Sequence, residues 1–250
     1  MMKFLATSDI HGYLPNITEE FDLLMICGDI CPATDHSVYF QENWIKNRFT
    51  RWINSLPYKT VWSKVILVPG NHDFWLERMS VAQRLEIEML CFNRLKILKH
   101  DEYEFEYPVS DGLDSLIIFG TPYCSLFGHW AFMVNDETLE KKFSQIGNYV
   151  DILLSHDSPN IYGLGDVTEG PFKREGSGNP ILARHIERIK PLILHTGHFH
   201  SGNKLFEERN GTWMANVSYI NEDYIPSNAV LSYNFDEETK EASIEYLCII

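Results

Sequence analysis

Five short stretches of this chain carry residue types that bind metals or move protons. They are Asp9-x-His11, Gly28-Asp29, Gly70-Asn71-His72-Asp73, a lone His156, and Gly197-His198-x-His200. Carboxylate, amide and imidazole donors in one set suit manganese, iron, zinc or cobalt. They suit calcium less, since it prefers cages made only of oxygen. The last stretch, "LILHTGHFH", raises a sharper question. It puts His195, His198 and His200 within six positions, and nothing in composition says which of them act together.

Each stretch follows a run of apolar residues. The runs are "KFLAT", "DLLMIC", "KVILVP", "VDILLS" and "KPLILHT", and "DSLIIF" before Gly120 is a sixth. Their length and their Val, Ile and Leu content predict strands covered on both faces. Helical spacing appears between them. Residues 38–55 align Phe40, Trp44, Ile45, Phe49, Trp52 and Ile53. Residues 77–92 align Val81, Leu85, Met89 and Phe92. Weaker helices are predicted at 136–146 and 180–189, the second with Asn179 as cap and Pro180 in the first turn. The final forty residues alternate in polarity and predict antiparallel strands over "GTWMANVSY", "NAVLSYNF" and "ASIEYLCII". No repeat or linker interrupts the pattern, so residues 1–250 read as one domain. The polar, glycine-rich stretch 157–179 is the longest loop, of a length that is usually functional or mobile.

Ligands collect where the ends of strands diverge into loops. Each motif alone is weak, but the ordered string resembles the metallophosphoesterase superfamily, the calcineurin-like phosphoesterases. Their pattern reads D-x-H, G-D, G-N-H-[DE], H, G-H-x-H, and it spans residues 9 to 200 here. The resemblance implies an α/β fold, a four-layer α-β-β-α sandwich of two mixed sheets. It also implies two divalent ions, manganese before iron, zinc or cobalt. One would take Asp9, His11, Asp29 and His200; the other would take Asp29, Asn71, His156 and His198. Asp29 would bridge them. Two such ions bind phosphate oxygens, hold a hydroxide between them and neutralise an in-line transition state. His72 would assist the leaving group as acid or charge donor. Asp29, Asn71 and His72 thus form the implied catalytic set.

A finer resemblance is to small phosphodiesterases that include the animal MPPED proteins. It rests on "SLPYKTVWSKVILVPGNHD", "GTPYCSLFGHWAF", "DILLSHDSP" and "NVSYINEDYIPSN". Some animal members have glycine in place of the first histidine of G-H-x-H; here His198 is present. The branch implies small phosphodiesters, cyclic nucleotides among them. Phosphoprotein phosphatases place an acid three positions after Gly-Asp, with an arginine beside it; this chain has Pro32 and Ala33. The acid that would support His72 is therefore missing from that position, and Asp35 or Asp73 is the expected substitute. A phosphomonoesterase or protein phosphatase, a metal-dependent nuclease and a non-catalytic binding module on the same fold are the alternatives.

Composition narrows the field. With 44% hydrophobic residues the chain can bury a sizeable core. A net charge of −14 argues against a nonspecific grip on nucleic acid. It leaves room for a small phosphoester, nucleotides among them, whose charge the metals would meet. The five cysteines match no zinc spacing and read as reduced thiols. The N-terminus does not read as a signal peptide, and no apolar run is long enough to cross a membrane. A cytoplasmic location is the expectation; oligomeric state is not legible.

Plainer roles stand beside these. Asn71 could cap a helix near Trp75. His195 lies inside a predicted strand and reads as a packed or supporting histidine. His36, His100 and His185 read as surface or helix-face residues, and His129 is left open. Among Phe74, Trp75, Tyr123, Trp130 and Phe199 core packing is the default, with one or two free to stack on a base. Lys173 and Arg174 in the long loop are candidates to grip phosphate or sugar.

Overall fold

The computed structural model describes residues 1–171 and 173–243. Two six-stranded mixed sheets dominate it. The first contains β1 (Met2–Thr7), β2 (Leu23–Ile26), β3 (Lys64–Leu67), β4 (Leu95–Ile97), β13 (Leu231–Phe235) and β14 (Ala242–Ser243), in the order β14-β13-β1-β2-β3-β4. The second contains β5 (Asp101–Val109), β6 (Gly112–Thr121), β9 (Ile152–Ser155), β10 (Ile193–Thr196), β11 (Glu207–Arg209) and β12 (Thr212–Asn216), in the order β11-β12-β10-β9-β6-β5. A short parallel pair, β7 (Cys124–Ser125) with β8 (Met133–Val134), straps the region after β6.

The continuous apolar runs are explained by alternation. Phe4 and Ala6, Met25, Ile66, Ile118, Leu154 and Ile193 point into one cluster shared by both sheets. Their neighbours Leu5, Leu24, Ile26 and Leu67 face a second cluster on the outside of the first sheet. There they meet Ile45, Phe49 and Ile53 of the helical layer. Leu153 and Leu194 face a third cluster with Leu139 and Phe143 of α5 (Asp136–Phe143) and Ile186 of α6 (Pro180–Ile189). Helix, sheet, sheet and helix thus form four layers, as expected.

The helix predicted at 38–55 is continuous but uneven: α1 (Val38–Trp44), a π segment (Ile45–Phe49), then α2 (Thr50–Ser55). Its buried stripe Gln41, Ile45, Phe49 and Ile53 is spaced by four, with Thr50 buried beside it. A regular 3.6-residue helix would rotate that stripe off the sheet, and the wider π turn keeps it aligned. Helix α6 begins as predicted, with Asn179 Oδ1 accepting the amides of Ile181 and Leu182 and Pro180 behind it.

Two expectations change. The segment 77–92 divides into α3 (Phe74–Arg78) and α4 (Val81–Leu90), joined at a capping box of Ser80 and Gln83. The stripe on α4 faces outward: Val81, Leu85, Met89 and Phe92 are 66%, 50%, 70% and 78% exposed. The buried side is made instead by Ile87, Cys91 and Glu88, whose carboxylate accepts Ile97 N and pairs with Lys96. The C-terminal region is also less uniformly antiparallel than predicted. β12 runs parallel to β10, while β13 is antiparallel to β1 and β14. Of "ASIEYLCII", residues 244–250 lie outside the described residues. Among the described residues no helix is long and apolar enough to cross a membrane.

Candidate metal centre

The strands end side by side, and their loops converge. β1, β2 and β3 are parallel neighbours in the first sheet, and β9 and β10 are parallel neighbours in the second. The five motif loops therefore meet at one edge of the sandwich. There Asp9, His11, Asp29, Asn71, His72, His156 and His200 are all buried, and His198 is partly exposed.

The backbone is forced into this arrangement. Asp9, His11, Asp29 and His198 have φ of 50°, 40°, 52° and 66°, a left-handed region that side chains with a Cβ rarely adopt. Such conformations persist only where surrounding contacts over-determine them, and they concentrate at functional sites. Two glycines make room. Gly28 has φ of +99°, and a Cβ there would strike the His156 ring; one on Gly70 would strike the Asp29 carboxylate. Asp73 ties the loops together by accepting the amides of Ile30, Cys31 and Gly70.

One carboxylate oxygen sits between the two expected groups. Asp29 Oδ2 lies 3.6 Å from His11 Nε2 and 3.4 Å from His156 Nε2. Its other oxygen is occupied, accepting the His72 amide at 2.7 Å. His200 Nε2 lies 3.6 Å from Asp9 Oδ1, and His156 Nε2 lies 2.8 Å from Asn71 Oδ1. The far sides of these rings are fixed by main-chain carbonyls. His156 Nδ1 meets Cys27 O at 2.7 Å, and His200 Nδ1 meets Asn221 O at 3.1 Å. Each ring thereby presents its Nε2 to the cluster, the arrangement that orients metal-binding histidines.

The chemistry of the donors fits a cation. Donor atoms of Asp9, His11 and His200, and of Asp9, Asp29 and His156, lie within 4.8 Å of one another. His11 is 4% exposed, yet neither of its ring nitrogens has a hydrogen-bond partner among the described residues. A buried, unpaired imidazole is costly unless something else binds it. Burial pushes His11 down to about 4 against the pull of Asp29 and Asp9. Burial would raise Asp29, but His156, His72 and His11 outweigh it and hold the carboxyl well below its usual range. In return Asp29 overcomes the effect of burial on His156 and raises it to about 10. These opposed shifts describe a dense set of mutually compensating charges.

Other residues depart from expectation. His36, read as a surface residue, lies at the site: its Nε2 is 3.1 Å from His72 Nδ1. Among the described residues neither Asp35 nor Asp73, the expected substitutes, hydrogen-bonds the His72 ring, and a neighbouring imidazole stands there instead. Asp35 accepts Ser37 N, and Asp73 is committed to its three amides. Trp130 packs on His72 with ring centres 4.3 Å apart. Buried Gln41 bridges the main chain from His72 into the next helix, donating to His72 O and accepting Trp75 N. Asn71 does not cap α3; its side-chain oxygen faces His156.

His195 behaves as read from its strand: fully buried, with Nε2 2.9 Å from the Tyr233 hydroxyl. Burial lowers it to about 3. His185 lies on a face of α6, as read, whereas His100 is a half-buried residue between β4 and β5. His100 bridges Thr121 and Lys142 O, and His185 pairs with Glu140. His129 is exposed, as are Lys173 and Arg174, whose side chains make no ion pair among the described residues. The cation drawn inward is Lys204, whose Nζ donates to Asn216 Oδ1. That oxygen also accepts from Ser218 Oγ, which is 2.7 Å from Asp9 Oδ2. An open cleft of about 320 Å³ adjoins His11, bounded by Tyr13, Pro32, Thr34 and Tyr224.

Two sheets whose facing loops gather acidic and imidazole donors around one shared carboxylate define a metallophosphoesterase. The chain belongs to the calcineurin-like phosphoesterase family, whose model matches residues 2–207. It is similar to two UPF0046 proteins of Caenorhabditis elegans. One is 29% identical, covering 80% of this chain and 69% of that protein; the other is 25% identical, covering 85% and 68%. These are MPPED-family proteins, the branch indicated by the finer resemblance. Among solved structures it resembles TT1561 of Thermus thermophilus, with TM-score 0.55, 14% identity and coverage of 86% and 88%. It also resembles a phosphopantetheinyl hydrolase of Mycobacterium tuberculosis, with TM-score 0.50, 15% identity and coverage of 89% and 90%. At such identities the likeness establishes the fold.

Proposed function

We propose that residues 1–250 act as one domain, a two-metal phosphodiesterase that hydrolyses small phosphodiesters, with cyclic nucleotides among the candidates. The observation that carries this reading is Asp29 Oδ2, placed between His11 and His156. Asp9, His11 and His200 would complete one ion's site, and Asn71, His156 and His198 the other's. The ions, from the series manganese, iron, zinc and cobalt, would neutralise phosphate oxygens and activate water.

The protein's own groups do the rest. His72 Nδ1 is engaged by His36, so Nε2 is the nitrogen left to face the leaving oxygen. When His36 Nε2 accepts that hydrogen bond from Nδ1–H, His72 can hold a second proton on Nε2, the imidazolium form that a general acid must have. Trp130 and the Gln41 bridge hold the ring in place. Tyr13 and Tyr224 line a cleft of a size and character suited to an ester substituent such as a base. Among the described residues no arginine contacts the cluster. A monoester dianion calls for such clamps more than a diester monoanion does, which favours the diester.

The test compares bis-p-nitrophenyl phosphate with p-nitrophenyl phosphate, with and without added manganese. Faster, metal-dependent diester turnover that is lost in Asp29→Ala is expected. Full activity after chelation, or a clear preference for the monoester, would overturn the reading.

A further inference from the structure

We infer that Cys124 is an additional, sulfur ligand in the second metal position, and that it biases that position toward zinc over manganese. The inference rests on the reading that His156 and His198 share an ion. The family's motif string contains no cysteine, yet the Cys124 sulfur and one ring nitrogen each of His156 and His198 lie within 4.8 Å of one another. Cys124 is fully buried. The ring of His198 makes no hydrogen bond among the described residues and packs edge-on to His156 at 5.2 Å.

The strap that carries the thiol is anchored to the motif loops themselves. Thr121 O accepts His156 N, and Cys124 N donates to Phe132 O. Ser125 N donates to the carboxylate of Asp157, next to His156, and Ala131 N donates to the carbonyl of Asn71. The sulfur is therefore held where it is by the same loops that present Asn71 and His156. Among the described residues its hydrogen bond is a long 3.5 Å approach to Pro122 O, given up when the thiol proton is released to water and a sulfur–metal bond forms. Thiolate donors favour zinc and similar softer ions, whereas manganese favours oxygen.

The experiment loads wild type and Cys124→Ser with cobalt(II), measures bound metal by elemental analysis and records the near-ultraviolet spectrum. A sulfur-to-cobalt charge-transfer band in wild type that is lost in Cys124→Ser is expected. The zinc-over-manganese affinity ratio should fall by at least about tenfold in the variant, the low end for loss of even an outer-shell partner. X-ray absorption of zinc-loaded wild type should show sulfur at about 2.3 Å, which serves if the variant fails to fold. Bound cobalt with no sulfur band, or no sulfur scatterer around zinc, overturns the Cys124 assignment alone. Failure of wild type to bind cobalt or zinc overturns the underlying metal centre.

Discussion

At the scale of single residues, Asp29 and His195 show how burial serves opposite ends. Asp29 stays charged because three histidines face it. His195 stays neutral because burial disfavours its charged form, and its Nε2 meets the neutral Tyr233 hydroxyl. The second case has a measurable sign. The folded His195 titrates at about 3 and the unfolded one at 6.5. The unfolded chain therefore takes up the proton first as pH falls, and stability present above 6.5 is lost toward 3. The full effect is on the order of 5 kcal/mol. His195→Gln should flatten that part of the pH–stability curve in denaturant titrations while keeping metal-dependent turnover. An unchanged slope would mean that His195 does not titrate as its surroundings dictate. His198→Ala and His200→Ala should instead abolish turnover in a protein that still folds. His36 offers a finer contrast. His72→Ala should lower kcat by about 100-fold or more. His36→Ala should lower it less with little change in KM, because His36 acts through the ring it touches; equal losses would place His36 on the substrate instead.

At the scale of elements, the apolar stripe of α4 gives the clearest test. Helical periodicity is usually read as a buried face, but here Ile87, Cys91 and the Glu88 carboxylate do the anchoring. Val81→Ser together with Met89→Gln should change the unfolding free energy by no more than about 0.5 kcal/mol per site, as at other exposed positions. A loss of several kcal/mol, read by urea titration, would mean the stripe is covered. Sequence made the strands readable because a run buried on both faces has little freedom in composition. It made the convergence of the motif loops readable because each follows such a run. The same logic missed His36, Gln41, Cys124 and Tyr224. Each is a single side chain brought in from a distant loop or helix, with no local spacing to mark it. The π segment was hidden too, although the strict four-residue spacing of Gln41, Ile45, Phe49 and Ile53 is its trace.

At the scale of the whole molecule, the clustered donors bring together segments that are remote in the chain: the amide of His198 donates to Asp9, 189 positions away. This has a consequence for the order of events during folding. During synthesis the loops bearing Asp9, Asp29 and Asn71 emerge long before the one bearing His198 and His200, so a complete cage cannot assemble until the second sheet has closed on the first. Loop closure over such separations is slow and belongs late on the folding path. Cations that prefer the finished cage should therefore leave the refolding rate nearly unchanged and act on the unfolding rate, since interactions made after the transition state stabilise by slowing escape from the native state. Stopped-flow refolding and unfolding with and without zinc would show this as a shift confined to the unfolding limb. The metal centre would then serve as a late-closing latch, governing how long the native protein lasts rather than how quickly it is reached.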